Sequence, residues 1–251
     1  PAGAGTRLEI EKMSGYWISG VEAQGVKLHG APAEQKPDGK QENGRVVTVD
    51  DIHLRVSLFR LLFGTLHIAF GGEAFGGNLS GSTSDADGAR SLVLELDGVN
   101  VGDLPLMREV VGLPLEGKLS GNIDLRMPEA RLSKAEGKVS LKITDLAFGD
   151  GKAKIRDTIA LPRVEAGELE LIAEATEGRL KIEKLAANGS DVELAADGTI
   201  RLREPVDMSL AELSFRFKFA DKLKTKNDTT KALFGEPGSS LPGLFVLDPK
   251  N

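Results

Sequence analysis

The chain has 251 residues, long enough to bury a substantial core as one large β domain or two modest ones. Its 32 Lys and Arg against 38 Asp and Glu give a net charge of -6, with both signs interspersed, so it lacks the clustered basic surface that nucleic-acid binding requires. The absence of cysteine excludes disulfides, thiolate metal sites and a cysteine nucleophile.

The sequence starts at Pro1, with no initiator methionine and no charged-then-apolar leader. The expectation is a segment separated from any targeting sequence or membrane anchor. The stretch "APAEQKPDGKQENG", residues 31–44, has no hydrophobic period and reads as a mobile loop. Alternation follows it: Leu54, Val56 and Leu58 share one parity and His53, Arg55 and Ser57 the other, as in a strand with one wet face.

The run "LFRLLFGTLHIAFGGEAFGG", residues 58–77, holds four of the ten phenylalanines: Phe59, Phe63, Phe70 and Phe75. It is not a membrane span, because Arg60, Gly64 and His67 interrupt it and a spanning helix needs roughly 20 mostly apolar residues. A short helical turn is predicted over Phe59–Phe63, between strands that end near Leu58 and begin at Thr65. Leu58, Leu62, Leu66, Ile68 and Phe70 can line an apolar groove, and Phe59 and Phe63 can flank a turn that plugs one end or meets a membrane or partner. The competing reading is that these side chains fill the core where strands meet.

Beyond this run, glycines recur near every twenty residues, at Gly77, Gly98, Gly117, Gly137, Gly178 and Gly198. Most follow an acidic residue and precede an alternating segment, the pattern of a turn leading into a strand. Each period has room for about two strands with their turns, which predicts an antiparallel meander. Parity again separates Leu92, Leu94 and Leu96 from Glu95 and Asp97, Val139, Leu141 and Ile143 from Ser140 and Lys142, and Phe215, Phe217 and Phe219 from Arg216 and Lys218. One short helix is predicted over about 104–111, with Asp103 as cap, Pro105 in the first turn, and Gly112 and Pro114 as the stop. The domain then covers residues 1–220. In the tail, 221–251, a helix is predicted near Lys222–Leu233 and a terminal strand in "LPGLFVLDPKN".

Chemistry-bearing patterns are sparse. His29, His53 and His67 form no His-Glu-x-x-His pair, although the parity of His53 and His67 would let them approach on neighbouring strands. "GGEAFGG" lacks the dinucleotide spacing, and "SDADGARS" has Asp85, Asp87 and Gly88 of a calcium loop without its later acid, so a hairpin turn is the better reading. Carboxylates are numerous but fall at turns or on the polar parity. No catalytic constellation, metal site or cofactor site is expected.

The order of strand, "LFRLLFG", strand, the pair Gly76 and Gly77, and then "DGVNVGDLPLMREVVGLPLEGKLSGNIDLRM" resembles the periplasmic part of type II secretion system protein N, in the broader style of AsmA/TamB-like envelope proteins. The likeness covers residues 8–219. It implies a β-rich domain in the periplasm, anchored in the bacterial inner membrane through a segment outside this sequence, with other secretion-system envelope proteins as partners. It carries no catalytic residues.

The expected architecture is all-β: an elongated, strongly twisted, mainly antiparallel sheet, able to bend into a half-pipe, with one or two short helices. A β-sandwich is the alternative. The expected function is that of a non-enzymatic envelope scaffold in type II secretion. The alternative is a lipid-binding or lipid-transfer protein that uses an apolar groove, with a glycan-processing enzyme third, to be told apart by carboxylates converging in a cleft.

Overall fold

The computed structural model describes residues 7–16, 20–29, 46–57, 64–104, 107, 114–150, 154–155, 159–160, 162–226 and 230–231, with little beyond the backbone in the first three strands. Those strands are β1 (Arg7–Tyr16), β2 (Gly20–His29) and β3 (Val46–Val56). They are followed by β4 (Leu66–Ala74), β5 (Gly77–Ala86), β6 (Ala89–Asn100), β7 (Leu115–Pro128) and β8 (Glu136–Phe148). A small ribbon, β9 (Lys154–Ile155) with β10 (Ile159–Ala160), stands apart from the main sheet. The sheet continues through β11 (Val164–Thr176), β12 (Arg179–Asn188), β13 (Val192–Arg201) and β14 (Leu210–Phe219).

Twelve strands form one antiparallel sheet in nearly sequential order, β8 meeting β11 across the ribbon, and β1 and β14 are its two ends. The sheet does not close into a barrel. Apart from it the described strands form only the two-stranded ribbon, too small for the second layer of a sandwich, so the sandwich alternative gives way to the single open sheet. A chain of local hairpins needs no long-range crossover, so each strand's register is set by its neighbour in sequence.

Turn chemistry pins that register. Phe75–Gly76, Asp87–Gly88 and Glu177–Gly178 each place two successive residues at positive φ, the mirror-image turn that matches strand twist. "SDADGARS" is therefore the β5–β6 hairpin, closed by an Arg90–Asp85 ion pair at 3.2 Å. Glu129 and Ala130 adopt the same conformation without glycine, and Lys134 pairs with Glu129 beneath them.

Other glycines do not mark turns. Gly98 and Gly117 lie at register shifts inside β6 and β7, and Gly198 is opposite Ile182 and Leu213 in the middle of β13. The recurrence near twenty residues is thus no structural repeat, since Gly98 to Gly117 contains the irregular β6–β7 connection. Gly121 shows why glycine stands within a strand: at φ +137° its absent Cβ would lie 2.2 Å from the Ser140 carbonyl oxygen.

The helix predicted over 104–111 differs at its start. A 3-10 turn forms at Val101–Asp103 and Leu104 is extended, while Met107 is helical; residues 105–106 and 108–113 lie outside the described residues. Asp103 accepts from Asn100 Nδ2 at 3.1 Å, a bond inside the 3-10 turn and not a helix cap. In the tail, Asp221–Lys224 and Thr230–Lys231 are helical. Loop 31–44, the turn at Phe59–Phe63 and the terminal strand lie outside the described residues.

Candidate functional site

The register carries the apolar parity from strand to strand. Phe70 faces Gly81, Leu79 faces Leu96, and Leu94 faces Ile123. Ile123 faces Val139, Val139 faces Ala173, and Ala173 faces Ile182. Gly198 then joins Ile182 to Leu213, and Ala196 faces Phe215. Strands β4–β8 and β11–β14 therefore share one apolar face. At about 4.8 Å per strand it is about 40 Å across.

Its burial is uneven. Three clusters sink into it: Leu146, Val164, Ala166, Ala187, Val192 and Leu223 at one place; Leu96, Val99, Val101 and Leu119 at another; Val139, Ala173 and Ile182 between the central strands. The apolar side chains around them stay half-buried, Leu79, Leu94, Ile123, Leu141, Leu171, Leu185 and Ile200 among them. Exposure rises to 41 % at Leu66, the first residue of β4, and to 50 % at Phe215 and 53 % at Phe217 on the end strand β14. Between the hairpin ends, Thr83 has the only polar side chain on this face among the described residues, and its hydroxyl donates to Ser91 O at 3.0 Å. No ionisable group interrupts the face there.

Of the predicted lining residues, Leu66, Ile68 and Phe70 sit together on β4, facing Asp85, Thr83 and Gly81 of β5. Ile68 and Phe70 are half-buried, intermediate between a core and an open groove. The Phe70 ring occupies the space above Gly81, where a Cβ would come within 2.9 Å of its Cζ. Leu58, Phe59, Leu62 and Phe63 lie outside the described residues.

The opposite face is charged and paired. Lys142 meets Glu168 at 2.8 Å, Arg216 meets Asp197 at 2.8 Å, and Lys218 meets Glu193 at 3.3 Å. Lys184 pairs with Glu170, and Arg163 bridges Glu116 at 2.8 Å and Glu165 at 2.7 Å. These carboxylates stand against cations along the strands instead of converging in a cleft. Among the described residues, no three His, Asp or Glu side chains come together as a metal site. The register sets His53 against Gly71 and His67 against Ser84, so the two histidines do not meet as neighbours. His53 instead lies over Gly71, whose Cβ would be 2.7 Å from its Nε2.

Sequence reasoning missed Asp191. It is 4 % exposed, accepts from Glu165 N at 3.1 Å, and holds the Lys222 and Lys226 ammonium groups at 3.4 and 3.5 Å. Burial pushes its pKa up, but the Glu165 N–H and the two ammonium groups together outweigh that and hold it below the ordinary aspartate value. This clip fastens the turn Asp221–Lys224, whose Leu223 is 1 % exposed within the first cluster, onto the end of the apolar face. The available signal was Lys222 and Lys226, spaced to share a face of a predicted helix.

No known protein family matches the chain, and no curated protein or solved structure resembles it significantly. Among the described residues no helix is long and apolar enough to cross a membrane.

Proposed function

We propose that this domain binds the acyl chains of lipids on its apolar face, as a lipid-binding or lipid-transfer module of the bacterial envelope. The supporting observation is an apolar face shared by β4–β8 and β11–β14, free of ionisable groups between its hairpin ends and half-buried around its clusters, on which the described strands build no second large sheet. Leu, Ile, Val, Ala and Gly dominate its centre, and Phe215, Phe217 and Phe219 gather on β14 at one end, whereas protein interfaces are enriched in aromatic residues, Met and Arg. A leaflet's hydrocarbon is about 15 Å deep, half of a bilayer core, so a face about 40 Å across accommodates more than one acyl length. Burying a chain of about 16 carbons yields on the order of 10 kcal/mol before ordering costs.

Native mass spectrometry of the purified domain, with organic extraction and lipid analysis of the same sample, tests this reading. Reproducible bound phospholipid or other acyl species is the expected result. A clean ligand-free mass after gentle purification, with no uptake from added phospholipid, overturns it.

A second reading is a non-enzymatic scaffold in a type II secretion system, periplasmic and inner-membrane-anchored, contacting other envelope proteins. The observation that favours it is the end strand β14, where Leu210, Phe215 and Phe217 are about half exposed. An edge strand can extend into a partner's sheet.

A further inference from the structure

The strand β14 pairs with β13 on one side, and no described strand lies on its other side. Leu213, Phe215 and Phe217 point to the apolar face, with Phe215 and Phe217 stacked at 6.0 Å between ring centroids. Glu212, Ser214, Arg216 and Lys218 alternate with them on the charged face.

We propose that a second copy of this chain docks on the outer edge of β14, the two β14 strands pairing antiparallel about a two-fold axis at Phe215. An isologous contact sets each residue against its mirror position. Phe215 then meets its own copy and Phe217 meets Leu213, so apolar side chains oppose apolar ones. On the other side Glu212 faces Lys218 and Ser214 faces Arg216, each twice by symmetry. Opposite charges across a strand pair stabilise it, and like charges directly opposite destabilise it.

The neighbouring registers that keep apolar opposite apolar are poorer. Moving the axis to Arg216 sets that guanidinium against its own copy; moving it to Ser214 keeps Glu212 opposite Arg216 but sets Lys218 against Leu210 at both ends, where the Phe215 register gives Lys218 an acidic partner. With the axis at Phe215 the aromatic margins abut, and the apolar faces of two molecules become one continuous surface. This dimer goes beyond the acyl-binding reading, and its test contains no lipid, so either can fail alone.

The absence of native cysteine makes the test direct. Cα atoms of facing residues in an antiparallel pair are about 4.5–5.5 Å apart, within the range a disulfide spans. In the full chain under mild oxidation, Phe215→Cys is expected to form a covalent dimer on non-reducing gels, and Ser214→Cys and Arg216→Cys much less. Phe215 is half exposed, so its replacement leaves the fold intact. Sedimentation of the unmodified protein should show a dimer that Lys218→Glu weakens at least tenfold and that adding Glu212→Lys restores. A monomer at every concentration overturns the proposal, as does a dimer that crosslinks preferentially through Ser214→Cys or Arg216→Cys, or through none of the three.

Discussion

Strands β8 and β14 carry the same alternation but differ in what surrounds them. Val139 on β8 lies between Ile123 of β7 and Ala173 of β11 and is 7 % exposed, whereas Phe217 on β14 has a described neighbouring strand on one side only and is 53 % exposed. Both point to the same face, so among the described residues Val139 is buried sideways, by the strands on either side of it and the cluster they build. In such a sheet an apolar position becomes core where strands flank it on both sides, as at Val139, or where the Asp221–Lys224 turn covers it, as at Val192. Toward the margins it becomes surface available to a ligand or partner.

The comparison breaks most sharply on substitution by a charge. Val139→Asp places an unpaired carboxylate among Ala173 and Ile182, and a loss of several kcal/mol is expected, read as a collapsed midpoint in urea. The matching change Phe217→Asp should cost less than about 1 kcal/mol and leave a folded protein. Equal losses at the two positions would show that the apolar face is covered throughout.

A smaller effect separates strand glycines from turn glycines. In Gly121→Ala the new methyl meets the Ser140 carbonyl oxygen at 2.2 Å on top of an unfavourable φ, for an expected loss above about 2 kcal/mol. Gly88→Ala, in an open turn at φ +73°, should lose only about 1 kcal/mol, since nothing lies within 4 Å of its Cβ. Thermal unfolding of both variants ranks them.

A pH-dependent effect is expected at the end clip. Asp191→Asn removes the charge facing Lys222 and Lys226, with an expected cost of about 1–2 kcal/mol. Because the carboxylate is held below its ordinary pKa, its contribution is complete above about pH 4 and is lost as pH falls through the lowered value. Urea midpoints of the two proteins should therefore converge on acidification, and a difference that stays constant down to pH 2 would remove Asp191 from the account.

The alternation was readable because a strand's side-chain period is two, so Leu92, Leu94 and Leu96 share a face whatever their partners. The Asp87–Gly88 and Glu177–Gly178 turns were legible for a similar reason, being short pairs suited to positive φ. Gly98, Gly117 and Gly198 were not, since sequence does not separate a glycine that turns the chain from one that admits a bulge or a close neighbouring carbonyl. Nor does alternation reveal whether a second layer covers the apolar side, which is why an open sheet and a sandwich read alike. Asp191 was hidden because its partners come from the far side of two strands, at Glu165, Lys222 and Lys226.

The central claim is that the apolar face receives acyl chains while the charged face does not. Single cysteines at Leu171 on the apolar side and Lys142 on the charged side, each carrying an environment-sensitive fluorophore, test it when titrated with a phospholipid below its aggregation concentration. The account predicts a saturable blue shift at Leu171→Cys and none at Lys142→Cys. No shift at Leu171→Cys, or equal shifts at both, would contradict it.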